Sequence, residues 1–92
     1  DASVPQEFRL AQNYPNPFNP STTIKYDIPK DVKVKMVIYD ILGREVLTLV
    51  NEQKKAGSYS IIFSNTNMAS GVYIYTLRTN SFVQTKKMIL LK

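Results

Sequence analysis

From Ser21 onward the chain alternates apolar and polar residues with period two, and this rhythm constrains the fold more than any other feature. Successive side chains of a strand point to opposite faces, so such alternation marks strands with one face in a core. Ile24, Tyr26 and Ile28 share one face, with Thr23, Lys25 and Asp27 opposite; Pro29-Lys30-Asp31 follows as a turn. Val32, Val34, Met36 and Ile38 then alternate against Lys33, Lys35, Val37 and Tyr39. Asp40-Ile41-Leu42-Gly43 fits a four-residue turn, aspartate suiting its first position and glycine its last. Glu45 to Val50 resumes as a strand, Asn51 to Gly57 reads as a polar loop, and Tyr59, Ile61 and Phe63 open the next run. Ser64 to Ser70 is expected to be a crossing loop with Met68 its buried residue. Gly71 opens Val72 to Leu77, apolar on both faces and so expected at the centre of a sheet. Asn80-Ser81 suits a two-residue hairpin turn, since asparagine tolerates a positive φ. The nearest helical candidate, Ile41 to Lys55, contains Gly43 and β-branched residues at its centre. Six or seven strands with short turns make an all-β chain, an antiparallel β-sandwich of immunoglobulin-like type.

The segment ahead of this pattern behaves differently. Residues 1–12 read as a linker becoming a first strand, with Phe8 and Leu10 the first period-two pair. Asn13 to Pro20 then holds Pro15, Pro17 and Pro20, which forbid a helix and a central strand. Asn16 and Asn19 each precede a proline, where their amides can cap backbone groups that the prolines leave unpaired. One reading is a proline-rich peptide ligand. The other is a stiff crossing that closes one end of the sandwich, pinned to the core by Tyr14 and Phe18.

The last stretch, Phe82 to Lys92, ends in four consecutive apolar residues before its final lysine. As a strand it puts Phe82, Gln84, Lys86, Met88 and Leu90 on one face and Val83, Thr85, Lys87, Ile89 and Leu91 on the other. Each face carries one lysine. A strand between two packed layers has little room for both, so the pattern allows a final core strand with a lysine tip or an edge strand displayed to a partner.

Composition removes most catalytic chemistry. A chain of 92 residues makes one domain with a modest core. It has no histidine and no cysteine, which takes away the usual general base, the usual zinc ligands and any disulfide. The spacing of Asp27, Asp31 and Asp40 matches no calcium loop. Tyr73 and Tyr75 share a face as stacking platforms for nucleic acid would, with Arg78 the one basic residue close by. No apolar run is long enough to span a membrane as a helix. The chain is thus read as non-enzymatic, with no catalytic residue, metal, cofactor or nucleic-acid partner. Its formal charge is +5. All carboxylates lie at or before Glu52, leaving Lys54, Lys55, Arg78, Lys86, Lys87 and Lys92 unopposed in sequence. Such a half suits an anionic partner or solvated strand edges kept from aggregating.

Three segments taken together resemble a known family. They are Leu10 to Ile24 (LAQNYPNPFNPSTTI), Val37 to Val46 (VIYDILGREV) and Ser70 to Leu77 (SGVYIYTL), closed by Lys86 to Lys92 (KKMILLK). In this order they look like the carboxyl-terminal sorting domain of type IX secretion cargo, type A class. More distantly they are similar to the immunoglobulin-like domain of flagellar hook-capping proteins. Met68 stands where the family more often has leucine, an exchange a core tolerates. The resemblance implies a sorting domain over 9–92 and a linker from an upstream cargo domain over 1–8. It also implies an export module of Bacteroidetes-type bacteria that directs a larger cargo through an outer-membrane translocon to the cell surface or beyond. Its partners would be that translocon with its outer-membrane shuttle and a sortase, which cuts near residues 1–8 and joins the cargo to an anionic lipopolysaccharide. Carried over by position, Lys86, Lys87, Met88, Ile89, Leu90, Leu91 and Lys92 form the recognition strand. Asn16, Pro17, Phe18, Asn19, Pro20, Asp40, Gly43, Gly71 and Tyr73 are signature positions of mainly structural role. A different class of function is an adhesion or carbohydrate-binding module using Tyr39, Tyr73 and Tyr75, and a third is a plain spacer.

Overall fold

The computed structural model describes residues 4–64 and 67–92. The alternating segments become β1 (Arg9–Leu10), β2 (Ser21–Ile28), β3 (Val32–Tyr39), β4 (Glu45–Lys54), β5 (Gly57–Ser64), β6 (Gly71–Arg78) and β7 (Val83–Leu90). They pair into two antiparallel sheets, ordered β1-β2-β5 and β4-β3-β6-β7, and no described residue is helical. The result is an immunoglobulin-like sandwich. Its core is the set that alternation selects: Ile24, Tyr26, Ile28 and Phe63 from one sheet meet Val34, Met36, Ile38, Tyr75, Leu77, Met88 and Leu90 from the other. Burying each such side chain contributes about 1.5–3 kcal/mol relative to exposure. The strand expected to be central, β6, lies between β3 and β7, with Ile38 opposite Tyr75 and Tyr73 opposite Met88.

Turn chemistry fixes the ends. At the β3–β4 turn the Gly43 N–H donates to the Asp40 carbonyl at 3.0 Å, and Gly43 takes φ 84°, where a Cβ would be strained. The Asp40 carboxylate accepts the N–H groups of Leu42 and Arg44 at 2.9 and 3.0 Å and the Arg44 guanidinium at 2.7 Å. Those bonds, the Arg44 backbone N–H first, hold its carboxyl below the ordinary range. Met68 is buried, as expected of the crossing after β5, although residues 65–66 of that crossing lie outside the described set.

Three expectations are corrected. The polar loop read over Asn51 to Gly57 is mostly strand: β4 continues to Lys54 in register with Val32 to Lys35, and only Lys55-Ala56 separates it from β5. Asn51 to Lys54 lie on an edge facing solvent, so backbone pairing holds them without an apolar stripe. Tyr14 does not anchor the proline segment; it is 81% exposed, while Phe18 alone enters the core. The Asn80-Ser81 turn forms where expected, closed by the Thr79 N–H to the Phe82 carbonyl at 2.8 Å. Yet no described residue other than glycine has a positive φ. Instead the Ser81 N–H donates to the Thr79 hydroxyl at 3.3 Å.

Of the linker read over 1–8, residues 1–3 lie outside the described set, and Phe8 stacks on Phe82 at 4.9 Å.

Candidate functional site

The terminal strand β7 is the last of its sheet, paired on one side with β6 and without a strand on the other. Its inward face contributes Met88 and Leu90, both fully buried, with Gln84 and Lys86 half-buried nearer the hairpin. Its outward face leaves Val83, Thr85, Lys87, Ile89 and Leu91 exposed. The two lysines therefore face opposite ways, as the alternation requires. Neither takes part in the ion pairs found among the described residues, Arg44–Asp40 and Lys54–Glu52.

The outer edge of β7 is taken over by the proline segment. The Gln12 side-chain amide donates to the Lys87 carbonyl at 2.6 Å, and the Ile89 N–H donates to Asn16 Oδ1 at 2.9 Å. The Phe18 N–H donates to the Ile89 carbonyl at 2.9 Å, and the Leu91 N–H to the Phe18 carbonyl at 3.0 Å. Beyond Leu90, the Lys92 N–H donates to Ser70 Oγ at 2.9 Å. Thus the segment closes the lateral gap beside β7 rather than an end of the sandwich, because an exposed edge has backbone groups to satisfy and prolines cannot supply a full strand.

A buried polar knot fastens this strap to both sheets. Asn13, 2% exposed, donates from Nδ2 to the Thr22 hydroxyl at 3.0 Å and to the Pro15 carbonyl at 3.2 Å, and accepts from Gln12 Nε2 at 2.7 Å. Its backbone N–H donates to the Tyr75 hydroxyl at 2.8 Å, and that hydroxyl donates to the Ala11 carbonyl at 2.8 Å. The Tyr14 and Thr23 backbones exchange bonds at 2.9 and 3.0 Å. Phe18 packs edge-on against Phe63 at 6.0 Å.

Burial pushes the Tyr75 phenol up to about 12, with the Asn13 N–H pulling slightly the other way. The unfolded chain ionises this phenol near 10. Its contribution to stability is therefore complete below about pH 10 and is lost as pH rises toward about 12. Tyr26, also raised by burial, acts in the same direction. Melting temperatures measured from pH 7 to 12 should be level at first and fall above about 10. In Tyr75→Phe the neutral-pH value drops by the equivalent of about 1–3 kcal/mol, since the buried Asn13 N–H and the partly buried Ala11 carbonyl lose their partner, and the alkaline slope is shallower.

The remaining signature positions hold the frame. Gly71 starts β6 at φ 154° opposite Leu90, and the Tyr73 hydroxyl donates to the Ala69 carbonyl at 2.7 Å. Asp40 and Gly43 make the turn already described. Pro17, Asn19 and Pro20 are exposed on the strap. The seven terminal positions do not form one patch: Lys87, Ile89 and Leu91 are outward, whereas Met88 and Leu90 are core. Sequence reasoning missed Gln12 and Asn13; a polar pair ahead of the prolines was the available signal.

Tyr73 and Tyr75 lie in the core and Tyr39 is half-buried, so they offer no row for sugar rings or bases. The Asp31 carboxylate accepts the Ala56 N–H at 2.9 Å and Asp40 is engaged by its own turn. No cluster of metal-ligating side chains occurs among the described residues.

A family model described as a secretion system C-terminal sorting domain matches residues 12–91. No curated protein and no solved structure matches the chain.

Proposed function

This chain belongs to the family of secretion system C-terminal sorting domains, and from that premise we propose that it carries a larger upstream cargo through the type IX outer-membrane translocon to the cell surface or the medium. A sorting signal of this kind is a module to be recognised. The observation that supports the reading is the presentation of β7: core on one face, strapped along its edge, and open on the other face at Lys87, Ile89 and Leu91. Strand addition by a receptor is disfavoured along Lys87 to Leu91, because the Lys87 and Ile89 carbonyls and the Ile89 and Leu91 N–H groups are already bonded. The receptor instead reads outward side chains of a folded strand. Sortase cleavage falls ahead of Phe8, because Phe8 is already stacked on the fold.

The test is to fuse the full 92-residue chain to the end of a reporter in a host with a type IX system. The reporter should reach the surface or medium, and should stay in the periplasm when the translocon is disrupted. Export that is indifferent to the translocon overturns the reading.

A further inference from the structure

The exposed face of the four-stranded sheet carries its charges unevenly. Lys35 on β3 and Arg78 on β6 are direct cross-strand partners, and Lys33 stands one step along the same face. All three are exposed, and they line one shallow depression with Asn51, Thr79 and Asn80. The neighbours across to β4 are neutral, Asn51 opposite Lys35 and Gln53 opposite Lys33, and Val83 lies opposite Arg78. No carboxylate pairs with the trio among the described residues. Asp31, two residues before Lys33, accepts the Ala56 N–H, and by register the next carboxylate along this face is Glu45, beside Tyr39. Like charges directly opposite each other destabilise a sheet, and a sheet that needed only solubility would be better served by alternating signs. Further along, the same face passes Lys87 opposite Ile74, then Ile89 opposite Val72, and ends at Leu91.

We propose that Lys33, Lys35 and Arg78 are the docking point for an acidic protein surface, a partner whose carboxylates meet this end of the sheet while its apolar part covers Val72, Ile89 and Leu91. The proposal rests on the sorting-domain reading only in placing that partner in the export machinery. An arginine fork flanked by lysines suits carboxylates, with Arg78 binding bidentately and the lysines as point charges. A lipid surface fits less well, because Ile89 and Val72 are only 36% and 38% exposed, and the one exposed apolar tip among the described residues of this sheet, Ile41 and Leu42 in the β3–β4 turn, lies at the opposite end of β3 from the trio. Nucleic acid lacks its stacking platforms, since Tyr73 and Tyr75 are inside.

The experiment titrates the full chain with a polyglutamate peptide while following backbone amide shifts. Shifts are expected along β3 and β6 around the trio. The reversal Lys33→Glu, Lys35→Glu, Arg78→Glu should weaken binding at least about tenfold, and a control with the same charge change, Lys25→Glu, Lys30→Glu, Lys55→Glu, by under about twofold. Neutral glutamine replacements of the trio, which remove the charges without reversing them, should behave like the reversal. Arg78→Glu alone should raise the melting temperature by relieving the clash with Lys35, so weaker binding is not a folding defect. Equal loss in trio and control overturns the proposal, as does a face that ignores polyglutamate and responds to phosphatidylglycerol vesicles. In the reporter host, the trio variant should export several-fold less than the parent; full export sinks this proposal and leaves the terminal-strand reading standing.

Discussion

Replacing Phe18 by alanine is expected to lower the unfolding free energy by about 3–5 kcal/mol. Phe18 is 2% exposed, packs edge-on against Phe63, and is the one aromatic of the proline segment that enters the core. The loss combines removed apolar area with a cavity that a proline-stiffened backbone cannot collapse to fill. A small domain has a total stability near the low end of about 5–15 kcal/mol, so this single change brings it close to unfolding. The backbone of Phe18 also holds β7, through the Ile89 carbonyl and the Leu91 N–H. Hydrogen exchange in the variant should therefore speed up at Leu91, and at Ile89 whose N–H relies on Asn16, before it does at β3. Phe18→Leu keeps most of the volume and should cost under about 1.5 kcal/mol. Denaturant midpoints decide the matter; a loss below about 1 kcal/mol for Phe18→Ala would mean the strap is not fastened through this ring.

Removing residues 88–92 is expected to unfold the domain outright. Met88 and Leu90 are fully buried, and deleting side chains of this kind costs about 2–5 kcal/mol apiece. The bonds from Ile89 and Leu91 to the strap disappear as well, leaving Asn16 and Phe18 without partners. Together these losses exceed what a small sandwich holds in reserve. The truncated chain should show no cooperative melt and collapsed amide dispersion, and a retained transition would contradict the packing described here. One consequence concerns the signal itself: loss of export after tail deletion follows from lost folding alone and does not identify which side chains are read.

Much of this fold is visible as alternation. Val32 to Ile38 and Ile24 to Ile28 announce their buried faces because each has apolar residues at every second position. Asn51 to Lys54 did not, since a solvent-facing edge strand needs only backbone pairing with β3 and carries no apolar mark. Tyr14 and Phe18, both next to prolines, look alike as anchors; which one turns inward depends on the path of the strap past β7. The strap itself was legible as a stiff segment, but its use of the β7 edge was not. That contact is made by backbone groups and the amides of Gln12 and Asn16, and nothing in the residue types of β7 records it. The basic trio was equally hidden, because Arg78 meets Lys35 only through the pairing of β6 with β3. Resemblance supplied the role of the terminal residues, and the structure divides them into those that pack inward and those that face solvent.

The central claim is that export machinery reads the outward side chains of a folded terminal strand. Its most direct test is the variant Lys87→Glu, Ile89→Ser, Leu91→Ser, which leaves Met88, Leu90 and the strap bonds in place, assayed together for melting and for surface display of a fused reporter. The account predicts a domain that still melts cooperatively and whose display falls at least about tenfold. Display equal to the parent from that folded variant would contradict it.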